Sequence, residues 1–383
     1  DVDGTTDLGN AERGIGINNG GQTDGAKENL VQANLVSGNG LNGIDVCGIG
    51  TGSNALKNTY IGTDIAGNTA LPNAVDGVVI CDGAQENIVG GDITTDRNLI
   101  SGNGRSGVFI VGGGTISNTV SGNYIGSDVA GTGAVANDTG IVIAGTAQFN
   151  LIGGDTPSER NLIGGNNVQG VWIGADSNRV SGNYIGTDVT GTASLANENG
   201  VMIEWGAKSN VIGGSTPAEG NLVSGNGSGG GVAIAGSGTM SNTISHNSIG
   251  LDAGGTGDLG NAGHGVIVLS GASRNVVDNN EVAYSKYVSA KWPGAGVIIS
   301  GTTTLNNQLT RNRIHSNEDK GILLSDGGNL ELFPPILTNV STNTVQGQAP
   351  PNSRVEIFSD AEDEGRYYHG FALAGAAGDF SFA

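Results

Sequence analysis

The reactive side chains crowd most densely into VVDNNEVAYSKYVSAKWPGAG at 276–296, which carries Glu281, Tyr284, Lys286, Tyr287, Lys291 and Trp292. Arg311, Arg313 and His315 follow shortly after. Elimination from an acidic polysaccharide needs a base at the sugar C5 proton and a cation against the uronate carboxylate. Lys286, Arg311 and Arg313 would supply cations, and Tyr284 or His315 a base. The repeat pattern places these positions on different faces, and no catalytic motif is matched. An insertion near the end of a repeat array more commonly caps it or docks a neighbouring domain, so no catalytic residue is assigned. Hydrolysis by paired carboxylates has no better anchor, because 36 acidic residues make chance pairs easy to find. The four histidines are scattered without zinc spacing, and no glycine-rich run ends in a phosphate-loop Lys-Ser/Thr.

A second chemistry-bearing feature repeats. Segments beginning at Asp1, Asp64, Asp128, Asp188 and Asp252 align at intervals of roughly 60–64 residues, and the last four follow Ile-Gly-x-Asp. Oxygen ligands of this kind suit Ca²⁺. Alternatively, each carboxylate caps its own turn by accepting backbone N–H groups. The capping reading asks for nothing beyond the chain. An active site is seldom copied once per period, so catalysis at these aspartates is excluded.

The elements that would position these groups are short. A Gly-β-branched-x-aliphatic motif recurs at Gly14, Gly43, Gly77, Gly107, Gly140, Gly170, Gly200, Gly231, Gly265, Gly296 and Gly321. Between turns, four to six residues alternate in polarity, which is strand periodicity. Short strands at constant period, with no helix between them, predict a parallel coil in which each turn stacks on the last. Eleven motifs predict about eleven coils and, at ~4.8 Å per coil, a rod on the order of 50 Å long. The composition agrees: 71 of 383 residues are glycine, and only 4% are aromatic. A thin solenoid core needs Val, Ile and Leu ladders, and its turns need residues tolerant of positive φ. Asparagine recurring at one coil position predicts a hydrogen-bonded ladder.

The pattern GVxIxG…NxVSGNYIGTDxxGTxxLxN…GVxIxG…NxIGGxxPxxRNLISGN resembles the right-handed parallel β-helix repeats of bacterial secreted and surface proteins, relatives in architecture of pectate-lyase-like proteins. The likeness covers about residues 1–330. It implies an all-β, right-handed parallel β-helix but not one activity, since that architecture serves lyases, epimerases, hydrolases, adhesins and stalks. From about Leu330 the repeat stops, and FPPI at 333–336 marks a linker. Residues 331–383 resemble the first half of a bacterial Ig-like module and are expected to form a partial β-sandwich. The first repeat begins within its period, so a longer parent chain is expected at both ends.

Stacked coils would bring Cys47 and Cys81 to one position in consecutive turns, at a spacing within disulfide range. A disulfide there fits an exported protein; two small residues that merely stack are the alternative. If the second and fourth motif residues point inward, the third points out. That outward stripe reads Val79, Phe109, Val142, Trp172, Met202, Ala233, Ile267, Ile298 and Leu323, with Asp45 its polar exception. A soluble monomer seldom exposes such a stripe, so it is expected to be a lateral interface. Cover by the chain's own loops, or sugar stacking on Trp172 and nearby Trp205, are the other readings.

A net charge of −20 argues against nucleic-acid binding, and no apolar run reaches the length of a membrane span. The expectation is an extracellular or cell-surface rod, structural or adhesive, that assembles with itself or with other domains of a longer chain. It needs no cofactor, with Ca²⁺ possible at the aspartate loops. Its rivals are a carbohydrate-active enzyme and a calcium-dependent module for extracellular polysaccharide.

Overall fold

A computed structural model describes residues 9–21, 24–290, 293–361 and 364–383. Asp1, Lys291 and Trp292 lie outside the described residues. The chain is all-β: a parallel β-helix followed by a small antiparallel unit. Three parallel sheets run along the helix. The first has eleven strands, from Ile15–Asn18 to Ile322–Ser325. The second and third have ten each, ending at Gln308–Thr310 and Arg313–His315. The sequence period thus becomes ten full turns and an eleventh strand.

Alternation along the first-sheet strands sets the core. Ile44 and Val46, then Val78 and Ile80, then Val108 and Ile110 point inward and are fully buried, one pair stacked on the next. The main core is entirely aliphatic. Three asparagine ladders line the corners rather than one. They run from Asn29 to Asn307, from Asn98 to Asn312, and from Asn10 to Asn261. Asn118 shows the pattern. Its Oδ1 accepts the backbone and side-chain N–H of Asn87, at 3.0 and 2.9 Å. Its Nδ2 donates to Asn150 Oδ1 and to the Ala84 carbonyl oxygen, both at 3.0 Å. Each buried corner amide is satisfied by the coil before or after it.

The third sheet carries an outer ladder in which Tyr60, Leu99, Tyr124, Leu162, Tyr184 and Leu222 stack in register. The aspartate loops fold back across it. Gly67, at φ 70°, sits so close to Tyr60, Leu99 and Val129 that a Cβ would fall 2.8–3.1 Å from their side chains. Only glycine supplies both that backbone and that clearance.

After the 3₁₀ turn Gly328–Glu331 the chain forms a three-stranded antiparallel sheet of Ile336–Val340, Val345–Gln348 and Asp379–Phe382. A two-stranded sheet pairs Arg354–Ser359 with Tyr367–Leu373. Val355, Ile357, Ala372, Ala374 and Phe380 form its own small core, a partial sandwich.

Candidate functional site

The outer face of the first sheet places the stripe residues in strict register. Asp45, Val79, Phe109, Val142, Trp172, Met202, Ala233, Ile267, Ile298 and Leu323 stack one per coil. Val79, Val142, Ala233, Ile267 and Ile298 are nevertheless only 2–7% exposed. The last three make an apolar cluster of their own, bordered by Met202 and Leu323 and separate from the main core. Arg105, paired with Asp76, lies 4.7 Å over the Phe109 ring. Asp45 pairs with Arg13 at 3.2 Å. Much of the stripe is thus covered within the chain, and Phe109, Trp172 and Met202 are only partly exposed.

At the centre of this face the repeat breaks. Glu204-Trp205 follows the strand Asn199–Ile203. Trp205 is 74% exposed and has φ 60°, a left-handed backbone that costs a bulky residue strain. Its ring meets Trp172 edge-on at 4.3 Å between centroids. The Trp172 Nε1–H donates to Glu204 Oε1 at 2.9 Å. The result is a two-tryptophan platform fixed by a carboxylate, with one ring open to solvent.

The aspartate loops close on themselves. Asp64 Oδ1 accepts the N–H groups of Asn68 and Thr69, Asp128 that of Thr132, Asp188 those of Thr192 and Ala193, and Asp252 those of Thr256 and Gly257, at 2.9–3.2 Å. Burial pushes the Asp188 carboxyl up, but the Thr190 hydroxyl and the loop N–H groups outweigh it and lower the pKa. The Gly257 and Thr256 N–H groups lower that of Asp252. Among the described residues, no three His, Cys, Asp or Glu side chains gather as a metal-binding group. Cys47 and Cys81 are joined as a disulfide between consecutive strands of the first sheet.

The charged stretch near the end of the helix needs a correction. Part of it shares one face: Glu281 is in register with Arg313, and Ala283 with His315, on neighbouring strands of the third sheet, whereas Arg311 reaches the second-sheet strand Val276–Asp278. The extra residues between Tyr284 and Gly296 leave the third-sheet register intact, so coil-to-coil stacking brings the groups together. Glu281 Oε1 lies 3.2 Å from both Arg313 and His315 Nε2. Burial opposes ionisation of Glu281, but the His315 hydrogen bond and the Arg313 charge outweigh it and lower its pKa. Arg311 pairs with Asp278 at 2.6 Å and Lys286 with Asp258 at 2.5 Å. Every cation of the proposed lyase set that is described is therefore neutralised by its own chain.

This network also joins the two parts of the molecule. Glu356 Oε2 accepts the Arg311 N–H at 2.8 Å, and Glu364 Oε2 accepts the Asn317 N–H at 3.1 Å. A cleft of about 270 Å³ lies beside the joint, lined by Leu309, Ile314, Ile322, Pro335, Val355 and Phe358 among others.

Residues 211–350 match the family model described as the right-handed beta helix region. With three continuous parallel sheets, this makes the chain a right-handed parallel β-helix repeat protein in fold. No curated protein sequence matches it. Among solved structures, full-length tailspike protein 2 of Escherichia coli O157:H7 bacteriophage CAB120 is similar at 10% identity and TM-score 0.39. That alignment covers 89% of this chain and 57% of the tailspike, so this chain spans a little over half of that protein's length. The Dettilon tailspike protein is similar at 12% identity and TM-score 0.34, over 92% of this chain and 85% of that one. At these scores the likeness supports no functional argument.

Proposed function

We propose that this chain is a structural or adhesive rod module of an extracellular or cell-surface protein, and that it associates laterally with a second copy through its first-sheet face. One observation carries the rod reading: eleven strands of the first sheet stack without a break in register. A rigid spacer needs that regularity. The Cys47–Cys81 disulfide supports an oxidising compartment. Contact between rods would centre on Phe109, Trp172, Met202 and Trp205, the accessible part of the face.

Sedimentation of the whole chain across concentrations, with electron microscopy, tests this. Wild type should assemble, and the triple change Phe109→Ser, Trp172→Ser, Met202→Ser should abolish assembly. Trp205→Ser, at an exposed position, asks the same question with less risk to folding. Association that survives both, or a wild type monomeric throughout, would overturn the lateral contact.

The tryptophan platform favours a second reading, sugar binding, because an exposed ring beside a fixed one suits the apolar face of a saccharide.

A further inference from the structure

Acidic residues outnumber basic ones 36 to 16 in this chain. Arg13, Arg105, Arg179, Arg311, Arg313 and Arg354 each meet a carboxylate. Arg97 and Arg160 do not; each is seated over a tyrosine ring of the third-sheet ladder. The Arg97 guanidinium is 4.1 Å from the Tyr124 ring centre, and that of Arg160 is 4.0 Å from Tyr184. The carboxylates next to them in sequence are turned elsewhere. Asp96 pairs with Lys57 at 2.7 Å, and Glu159 accepts the hydroxyl and N–H of Thr156 at 2.7 and 3.1 Å.

Both arginines open onto one cleft of about 90 Å³, whose other walls are Tyr124, Pro157, Leu162, Tyr184 and Val189. Arg160 Nε donates to the Gly182 carbonyl oxygen at 3.3 Å, whereas Arg97 Nε is buried without an acceptor. Among the described residues, no acceptor meets the terminal nitrogens of either. The cation–π contact with tyrosine holds each guanidinium in place without using its N–H donors. The strands that follow the arginines are two coils apart in the third sheet, so the cations stand ~10 Å apart along the rod.

We propose that this cleft binds an acidic saccharide, its carboxylate or sulfate group held by Arg97 or Arg160 and its ring resting on the Pro157–Val189 wall. Planar guanidinium edges recognise two-oxygen anions through paired hydrogen bonds. Apolar and aromatic walls between two cations suit a ring that carries charge at its rim. A cleft of this size takes the anionic end and part of one ring, with the rest of the chain lying across the surface. The third copy of the loop has Gly220 where the second has Arg160, yet Leu222 keeps its register with Tyr184. The repeat therefore folds without the arginine, and its presence twice needs a reason beyond packing. This site lies on a different sheet from the lateral face and does not depend on the rod reading.

Calorimetric titration of the whole chain provides the test, with three tetrasaccharides: hyaluronan (carboxylate only), heparin-derived (sulfated) and chitotetraose (neutral). At least one acidic probe should bind saturably and lose affinity with salt, and which one binds identifies the anion. Arg160→Gly, which copies the third loop, and Arg97→Gln should each weaken binding by about tenfold or more. Arg160→Lys keeps the charge but loses the paired geometry, and should weaken binding less. Equal binding of chitotetraose, no saturable binding of either acidic probe, or affinity unchanged in both variants would each overturn the proposal. An acidic peptide that binds as tightly would overturn the saccharide assignment. Because rod assembly is read without added ligand, the two proposals fail separately.

Discussion

The indole N–H of Trp172 donates to Glu204 Oε1 at 2.9 Å, from one coil to the next. That bond fixes one ring of the tryptophan platform, and Trp205 stacks edge-on against it. Glu204→Leu should free the Trp172 ring while leaving the core intact. The expected loss is about 1–3 kcal/mol, because a half-buried donor loses a charged acceptor. Chemical denaturation checks the stability, and Trp172 fluorescence should report a looser ring.

Asn118→Ala should be more costly than its size suggests. It removes the acceptor of two Asn87 N–H groups and the side-chain donor to the Ala84 carbonyl within a buried corner, while Asn150 Oδ1 keeps only the Asn118 backbone N–H. A loss of about 2–4 kcal/mol is expected. Hydrogen exchange should show the damage in the coils on either side, since contacts in a solenoid are between neighbours.

Glu219 predicts a pH signature. Burial pushes its carboxyl up, but the Ser215 hydroxyl, the N–H groups of Ser215 and Thr216, and the Arg179 charge outweigh it and hold the pKa at about 2. Its folded pKa is below the unfolded value near 4.5, so its stabilisation is complete above about 4.5 and is lost as pH falls towards 2. Glu219→Gln should lower Tm at neutral pH, and its deficit against wild type should shrink through that acid window. A deficit constant from pH 7 to pH 2 would contradict the assignment.

Calcium removal should leave the rod unchanged, because each aspartate loop is already closed by backbone N–H donation to Oδ1 of its own carboxylate. Melting in chelator and in millimolar calcium should coincide. A calcium-dependent rise in Tm, lost in Asp188→Asn, would instead assign the loops as ion sites.

Reduction of Cys47–Cys81, separated by 34 residues, should destabilise the early coils by up to ~3–4 kcal/mol. Exchange protection should drop first at Ile44–Cys47 and Val78–Cys81.

The fold was legible because one periodic signal recurs in every coil. The motif glycines and alternating aliphatics were enough to place residues such as Val46 and Ile80 inside and Phe109 outside. Burial of the outward stripe was not legible. Val142 and Ile267 are covered by neighbours from other coils, and alternation along one strand carries no information about them. The joining of Glu281, Arg313 and His315 was missed for a related reason: the insertion after Tyr284 obscured a register that the third sheet preserves. The Tyr–Leu ladder did have a visible signal. Tyrosine and leucine alternate after the corner asparagines, in step with the two loop types, and arginine precedes that asparagine at 97 and 160 but not at 220.

The parallel pairing of all three sheets also sets how the rod would carry tension. Hydrogen bonds between coils point along the long axis, so a pull on the two ends loads each coil junction in series. Extension would then proceed by peeling single coils, starting at the weakest junction, rather than by collapse of the whole. The Cys47–Cys81 bond bridges one junction covalently, so a force applied there cannot part those two coils.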